Sequence, residues 1–279
     1  MPLKLTIIGP GVMAEAILRN LLSKQIIESS LITISGPRDE RVQYLAKTYK
    51  IHPKTDNSEA VKNADIILFC IKPQRVSKVL EGLRGGLNKD ALVISIVAGA
   101  RIDKISSTLQ HDQVIRAMPN TPGQIGKGIT VWTASQSVTQ PHLDFARSIF
   151  KAMGEEIFTE NEDDLDRATA LSGTGPAYVY LFMEAMVDAG VHLGFPRRIA
   201  ERLVIETLRG SVDFYDQGDE KERHLAALRN QVTSPGGTSA EALYFLEKAG
   251  FRTAISRAIW AAYQRTLELG QDINNLPKD

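Results

Sequence analysis

Two short stretches carry residues whose types and spacing could do chemistry: Thr233–Leu243 (TSPGGTSAEAL) and Gly9–Ala14 (GPGVMA). In the first, Pro235 ends whatever precedes it, and Gly236-Gly237 permits backbone angles closed to other residues. Thr238 and Ser239 are expected to cap an apolar-periodic helix that starts at about Ala240. Such a start presents unpaired backbone N–H groups and two hydroxyls at one point. It suits a carboxylate or phosphate and needs no arginine. An ordinary capped turn has the same residues, so the pattern alone nominates an anion site without fixing one. In the second stretch Gly9, Gly11 and Ala14 spell G-x-G-x-x-A. Gly9 makes a tight turn, Gly11 lets backbone approach a pyrophosphate, and Ala14 allows close packing of helix on strand.

These residues work only if regular elements hold them. Lys4–Ile8 (KLTII) reads as a buried strand, and Met13, Ala14, Ile17, Leu18, Leu21 and Leu22 follow helical spacing. Leu31–Ser35 completes a βαβ unit. Its end carries Ser35-Gly36-Pro37-Arg38 where an NAD site would hold an acid, so a 2′-phosphate and hence NADPH is favoured over NADH. Asp39-Glu40 belongs to the first turn of the next helix. Ala64–Ile71 and Ala91–Val97 are near-continuous apolar runs, as in strands buried on both faces, and Val114–Ala117 is a shorter one. Lys72-Pro73 stops the first of these before a helix at Gln74–Leu83. Met118–Gly128 is expected to be irregular. Lys72-Pro73, Ala98-Gly99 and Met118-Pro119-Asn120 stand at carboxyl ends of strands, where an open α/β sheet binds its ligand. Cys70 reads as a packed strand residue and not as a reactive thiol.

From about Glu160 the strand signals stop. Glu160–Asp166 (ENEDDLD) is expected to be a solvated helix start and not a metal site. Ser172–Pro176 opens a long helix whose acidic and histidine residues between Ala177 and Leu193 are Glu184, Asp188 and His192, one narrow stripe. The remaining circumference needs cover, which predicts a homodimer or a larger homo-oligomer. Further helices are expected over Arg197–Tyr215, Glu220–Asn230, Ala240–Lys248 and Arg252–Leu269. The fold class is therefore α/β: a Rossmann-type dinucleotide-binding domain over 1–160, then an all-helical domain over 161–279. Lys+Arg and Asp+Glu both total 33, which leaves no global field to attract nucleic acid or an anionic membrane. One cysteine excludes an internal disulfide, and the five histidines show no metal-ligand spacing. The apolar run in MPLKLTIIG is short for a signal peptide, and no stretch approaches the length of a membrane span. A cytoplasmic protein is expected.

The chain resembles pyrroline-5-carboxylate reductases along nearly its whole length. The resemblance lies in GPGVMA (Gly9–Ala14), IKPQ (Ile71–Gln74), RAMPNTPG (Arg116–Gly123), SGTGPAYVY (Ser172–Tyr180), GFPRRIA (Gly194–Ala200) and, most specifically, LRNQVTSPGGTSAEAL (Leu228–Leu243). It implies a cofactor lined by Gly9, Pro10, Gly11, Val12, Met13, Ala14, Ser35, Arg38 and Asn57, and by Cys70, Ile71, Lys72, Pro73, Ile96, Val97 and Ala98. Met118, Pro119 and Asn120 would lie by the nicotinamide. The substrate carboxylate would be held by Ser234, Gly236, Gly237, Thr238 and Ser239, with the turn supplied by a partner subunit. Three departures stand out: Val12 for the usual Asn, Asn230 for a common Asp, and Ser239 for the second Thr.

The expected activity is NADPH-dependent reduction of 1-pyrroline-5-carboxylate to L-proline, with Ser239 and Thr238 as the hydroxyls that reach the ring nitrogen. A related imine or 3-hydroxyacid reductase is the alternative enzyme. The hydroxyacid group would want a lysine on the entry helix, and Ser172–Tyr180 has none. A non-catalytic NADP-binding sensor is the alternative outside enzymes.

Overall fold

The computed structural model describes residues 3–217 and 224–274. Contacts divide the chain into two compact units, Met1–Pro176 with Ala261–Asp279, and Ala177–Trp260.

The first unit begins β1 (Leu5–Ile8), α1 (Val12–Ser23), β2 (Ile32–Ser35), α2 (Asp39–Tyr49), β3 (His52–Lys54), α3 (Asn57–Val61), β4 (Ile66–Phe69), α4 (Val76–Gly82), β5 (Leu92–Ser95), α5 (Ile102–Leu109) and β6 (Val114–Met118). It continues through β7 (Gly128–Ala134), α6 (Gln140–Met153), β8 (Gly154–Phe158) and α7 (Asp163–Ala168) to a π turn at Thr169–Gly173. The eight strands form one sheet in the order β3-β2-β1-β4-β5-β6-β7-β8. Leu5–Ile8 pairs in parallel with both Ile32–Ser35 and Ile66–Phe69, so the chain reverses direction across the sheet between β1 and β4. That reversal is the switch point at which a doubly wound sheet opens a crevice. The apolar runs are strands because both faces are covered: β1, β4 and β5 are buried at every position. Two cores result, one under α1, α2 and α6, the other under α4 and α5.

Three strands went unanticipated. β3 is an exposed polar edge, β8 carries Glu155 and Glu156, and β7 runs antiparallel to β6. The supposedly irregular Met118–Gly128 contains a 3-10 helix, Thr121–Ile125, because Pro122 sits at its start and the Gly123 N–H donates back to the Asn120 carbonyl at 3.1 Å.

The second unit holds α8 (Gly175–His192) from Ala177 onward, α9 (Arg197–Gln217), α10 (Leu225–Gln231), α11 (Thr238–Lys248) and the first part of α12 (Phe251–Asn274). Positions 220 to 223 of the expected helix Glu220–Asn230 lie outside the described residues. Its buried cluster is small, Val187, Ala200 and Val204, with Met183, Met186, Val191 and Leu208 against it. Large apolar side chains stand exposed on α8, among them Tyr180, Leu181 and Phe182.

The last part of α12 belongs to the first unit. There Gly270 meets Gly99 so closely that a Cβ on Gly99 would lie 2.7 Å from the Gly270 nitrogen. Ile273 is buried in the core under α4 and α5.

Candidate active site

At the switch point the glycine loop is built by contacts that exclude side chains. Gly9 has φ +101°, and a Cβ there would come within 2.6 Å of the Cys70 carbonyl oxygen at the end of β4. The Gly9 N–H donates to the Ser35 carbonyl at 2.8 Å, so the ends of β1, β2 and β4 converge on one loop. Gly11 is the N-cap of α1 and makes no side-chain cap, which leaves the first N–H groups of a twelve-residue helix open to an anion. Ala14 is fully buried beneath it, while Val12 is exposed. Pro10 is fixed from the far side: a Cβ on Gly36 would lie 2.3 Å from its Cδ, and the Arg41 Nε donates to its carbonyl at 3.1 Å. Arg41 also pairs with Glu15, which accepts the Tyr49 hydroxyl at 3.0 Å. Burial, reinforced by Glu15, holds that hydroxyl protonated beyond its ordinary range.

Ser35 is fully buried and donates to the Asn57 Oδ1 at 2.7 Å. Its hydroxyl is therefore committed to Asn57, which opens α3 behind the Asp56 cap. Arg38 is the exposed member, at the N-cap of α2, and Asp39-Glu40 form that helix's first turn. Cys70 is desolvated, which raises its thiol well above the usual range and keeps it protonated. Ile71, exposed Lys72 and Pro73 follow it into a short 3-10 turn, Pro73–Arg75. Beside them Ile96, Val97 and Ala98 leave β5, with the Ile96 N–H bonded to the Phe69 carbonyl at 3.2 Å. At the end of β6, Met118 and Pro119 are buried. The Asn120 side chain accepts from the Ile129 N–H at 3.0 Å and donates to the Ser172 carbonyl at 3.3 Å. The structure thus gathers the strand-end residues along one edge of the sheet.

The turn expected to hold the substrate carboxylate lies in the other unit. Gly236 has φ +70°, the Gly237 N–H closes a turn on the Ser234 carbonyl at 3.0 Å, and a Cβ on Gly237 would meet Ser234 Oγ at 2.6 Å. Here one expectation is corrected. Gly237, not Thr238 or Ser239, is the N-cap of α11, because it takes the extended angles φ −81° and ψ 169°. Thr238 and Ser239 are instead the first two helical residues, two positions earlier than the expected start. Among the described residues neither hydroxyl has a hydrogen-bond partner.

The acidic stretch Glu160–Asp166 is a second correction. Glu162 and Asp166 are not solvated: they pair with Arg116, whose side chain is 0% exposed, at 3.1 Å for Glu162 and closer still for Asp166. An arginine inside the apolar run VIRAM was the available signal for buried carboxylate partners.

Residues 162–269 match a family model described as pyrroline-5-carboxylate reductase dimerisation, and 4–99 match one described as NADP oxidoreductase, coenzyme F420-dependent. The Synechocystis sp. pyrroline-5-carboxylate reductase is 42% identical over 97% of this chain and 100% of its own length. The chain belongs to the pyrroline-5-carboxylate reductase family. The Escherichia coli reductase is 36% identical over 96% of the chain and 98% of its own length. Among solved structures, the NADP-bound pyrroline carboxylate reductase of Plasmodium falciparum superposes with a TM-score of 0.87 at 32% identity, covering 96% of this chain and 98% of that one. The prephenate dehydrogenase of A. aeolicus, at 12% identity and a TM-score of 0.55, shares the fold alone. Membership of the reductase family accounts for a Rossmann sheet followed by helices, and for a nicotinamide dinucleotide as the cofactor the first unit holds. Among the described residues no helix is long and apolar enough to cross a membrane.

Proposed function

We propose that the chain reduces 1-pyrroline-5-carboxylate to L-proline. The observation that carries the reading is the pair of helix starts, α1 and α11, each opened by a glycine N-cap that makes no side-chain cap. One suits a pyrophosphate and the other a carboxylate, the two anions that this reaction brings together.

The bound nicotinamide supplies the hydride, which goes to the imine carbon of the ring. The chain's own work is positioning and electrostatics. Gly9, Pro10, Gly11, Val12, Met13 and Ala14 cradle the phosphates. Cys70, Ile71, Lys72 and Pro73 with Ile96, Val97 and Ala98 form the walls, and Met118, Pro119 and Asn120 close the nicotinamide end. Ser234, Gly236 and Gly237 shape the turn that opens α11, and the first N–H groups of that helix hold the substrate carboxylate. Thr238 and Ser239 offer hydroxyls to the ring nitrogen, which ends as an amine once it carries a proton. Exposed Arg38, with Asn57 held by Ser35, favours the 2′-phosphate of NADPH over NADH. Functionally the division falls at 1–160 for the cofactor and 161–279 for substrate and assembly. The exposed apolar face of α8 supports a homodimer or larger assembly, and the proposed place of action is the cytoplasm.

The test is NADPH oxidation on adding pyrroline-5-carboxylate, with L-proline measured as product in equal amount. Tight NADPH binding without turnover of this imine would instead favour the sensor reading.

A further inference from the structure

Arg116 lies in β6 two residues before Met118, with its guanidinium wholly inside the protein. Its Nη1 donates to Glu162 at 3.1 Å, its Nη2 to Asp166, and its Nε has no partner among the described residues. Glu162 also accepts the Ile102 N–H at 2.8 Å and faces Arg101 at 3.6 Å. Arg101 in turn binds Asp163 at 2.8 Å. The cluster thus ties α7 both to β6 and to the start of α5, just after the Ile96–Ala98 wall.

A buried ion pair is a poor way to gain stability but a specific way to fix register, because any other arrangement leaves a charge unpaired. What it fixes here is informative. Three residues after Asp166 the helix widens into the π turn Thr169–Gly173, closed by the Thr174 N–H on the Thr169 carbonyl at 2.8 Å. That turn carries the Ser172 carbonyl that receives the Asn120 amide at 3.3 Å. It also places Gly173 against Met118, where a Cβ would lie 3.6 Å from the Met118 sulfur. Ordinary α-helical winding would move both groups, and π turns recur at functional sites.

We propose that Arg116, Glu162 and Asp166 form a positioning clasp that sets the π turn and, through Ser172, the Asn120 side chain at the hydride-transfer end of the site. The clasp touches neither cofactor nor substrate and acts through Asn120 and Met118. The inference rests on the nicotinamide placement in the proposed function.

The experiment is a single-turnover measurement of hydride transfer on the intact, assembled enzyme, normalised to NADPH-binding sites counted by fluorescence titration. Asp166→Asn keeps the shape and removes the charge. Glu162→Gln repeats the test should Asp166→Asn not fold. Expected is a transfer rate lower by about tenfold to a hundredfold, since small misplacements of reacting groups have effects of that size. The NADPH Kd should move less than about twofold. Combining Asp166→Asn with Asn120→Ala should cost clearly less than the sum of the two single effects, because the Asn120–Ser172 contact is shared by both. An unchanged rate per binding site, with only the yield or Tm reduced, would overturn the clasp and leave a plain structural ion pair. Fully additive effects would overturn the route through Asn120. An unmodified enzyme that binds NADPH but does not reduce pyrroline-5-carboxylate removes the proposed function, and the clasp with it.

Discussion

The Thr238 and Ser239 hydroxyls lie in the first turn of α11, unused by the helix. Ser239→Ala should therefore leave the fold and the carboxylate contact intact. If this hydroxyl bonds the ring nitrogen more strongly as charge develops, kcat falls with little change in substrate KM. One such bond is worth about 1–3 kcal/mol, a loss of about fivefold to a hundredfold. Ser239→Thr should keep activity. Thr238→Ala is the control, and full kcat in Ser239→Ala with loss in Thr238→Ala would exchange the two roles. Gly237→Val differs in kind, since its side chain would collide with Ser234 Oγ, and it should abolish saturation by substrate. Arg38, proposed to meet the 2′-phosphate, stands exposed where β2 feeds α2. Arg38→Ala should narrow the NADPH preference, seen in kcat/KM ratios, by about tenfold to a hundredfold and mainly through cofactor KM. Equal use of both cofactors by the unmodified enzyme would contradict that placement.

Elements matter through where they touch. At the joint of α12 with the β5–α5 loop, Gly99 combines φ +75° with backbone contact to Gly270. Gly99→Ala should destabilise by about 1–3 kcal/mol from the backbone angle alone, and by more from the clash. It should also weaken NADPH binding, because the same loop carries Ile96–Ala98. Thermal unfolding with and without NADPH separates the two effects, and an unchanged Kd would confine the joint to stability. Legibility in the sequence followed burial. β1, β4 and β5 announce themselves as apolar runs because both their faces are covered. β3, reading His52-Pro53-Lys54, is an exposed edge with no pattern to detect. β7 and β8 hinge on Gly128 and Gly154, which approach so closely that a Cβ on Gly154 would lie 2.1 Å from the Gly128 carbonyl oxygen, a contact visible only in three dimensions. The glycine loop and the S-P-G-G turn were legible because local backbone angles define them. The clasp was not, since its charges stand 46 and 50 residues apart along the chain.

For the whole molecule, the helical unit has a core too small for its length. Val187, Ala200 and Val204 are buried, while Leu181 and Leu193 are 68% and 82% exposed. The proposed assembly, by covering α8, would resolve this. Leu181→Asp or Phe182→Asp should shift the enzyme toward monomer by light scattering and lower activity in parallel, and a fully active monomer of the unmodified chain would refute the assembly. The return of α12 has another consequence, for the order in which the protein can be made. Gly270 packs on Gly99 and Ile273 fills the core under α4 and α5, yet residues 261–274 leave the ribosome only after the entire helical unit has been synthesised. During translation the dinucleotide half therefore waits, with part of its surface uncovered, for a segment written downstream of its neighbour. Its native packing is completed only once that returning segment has emerged behind the helical unit.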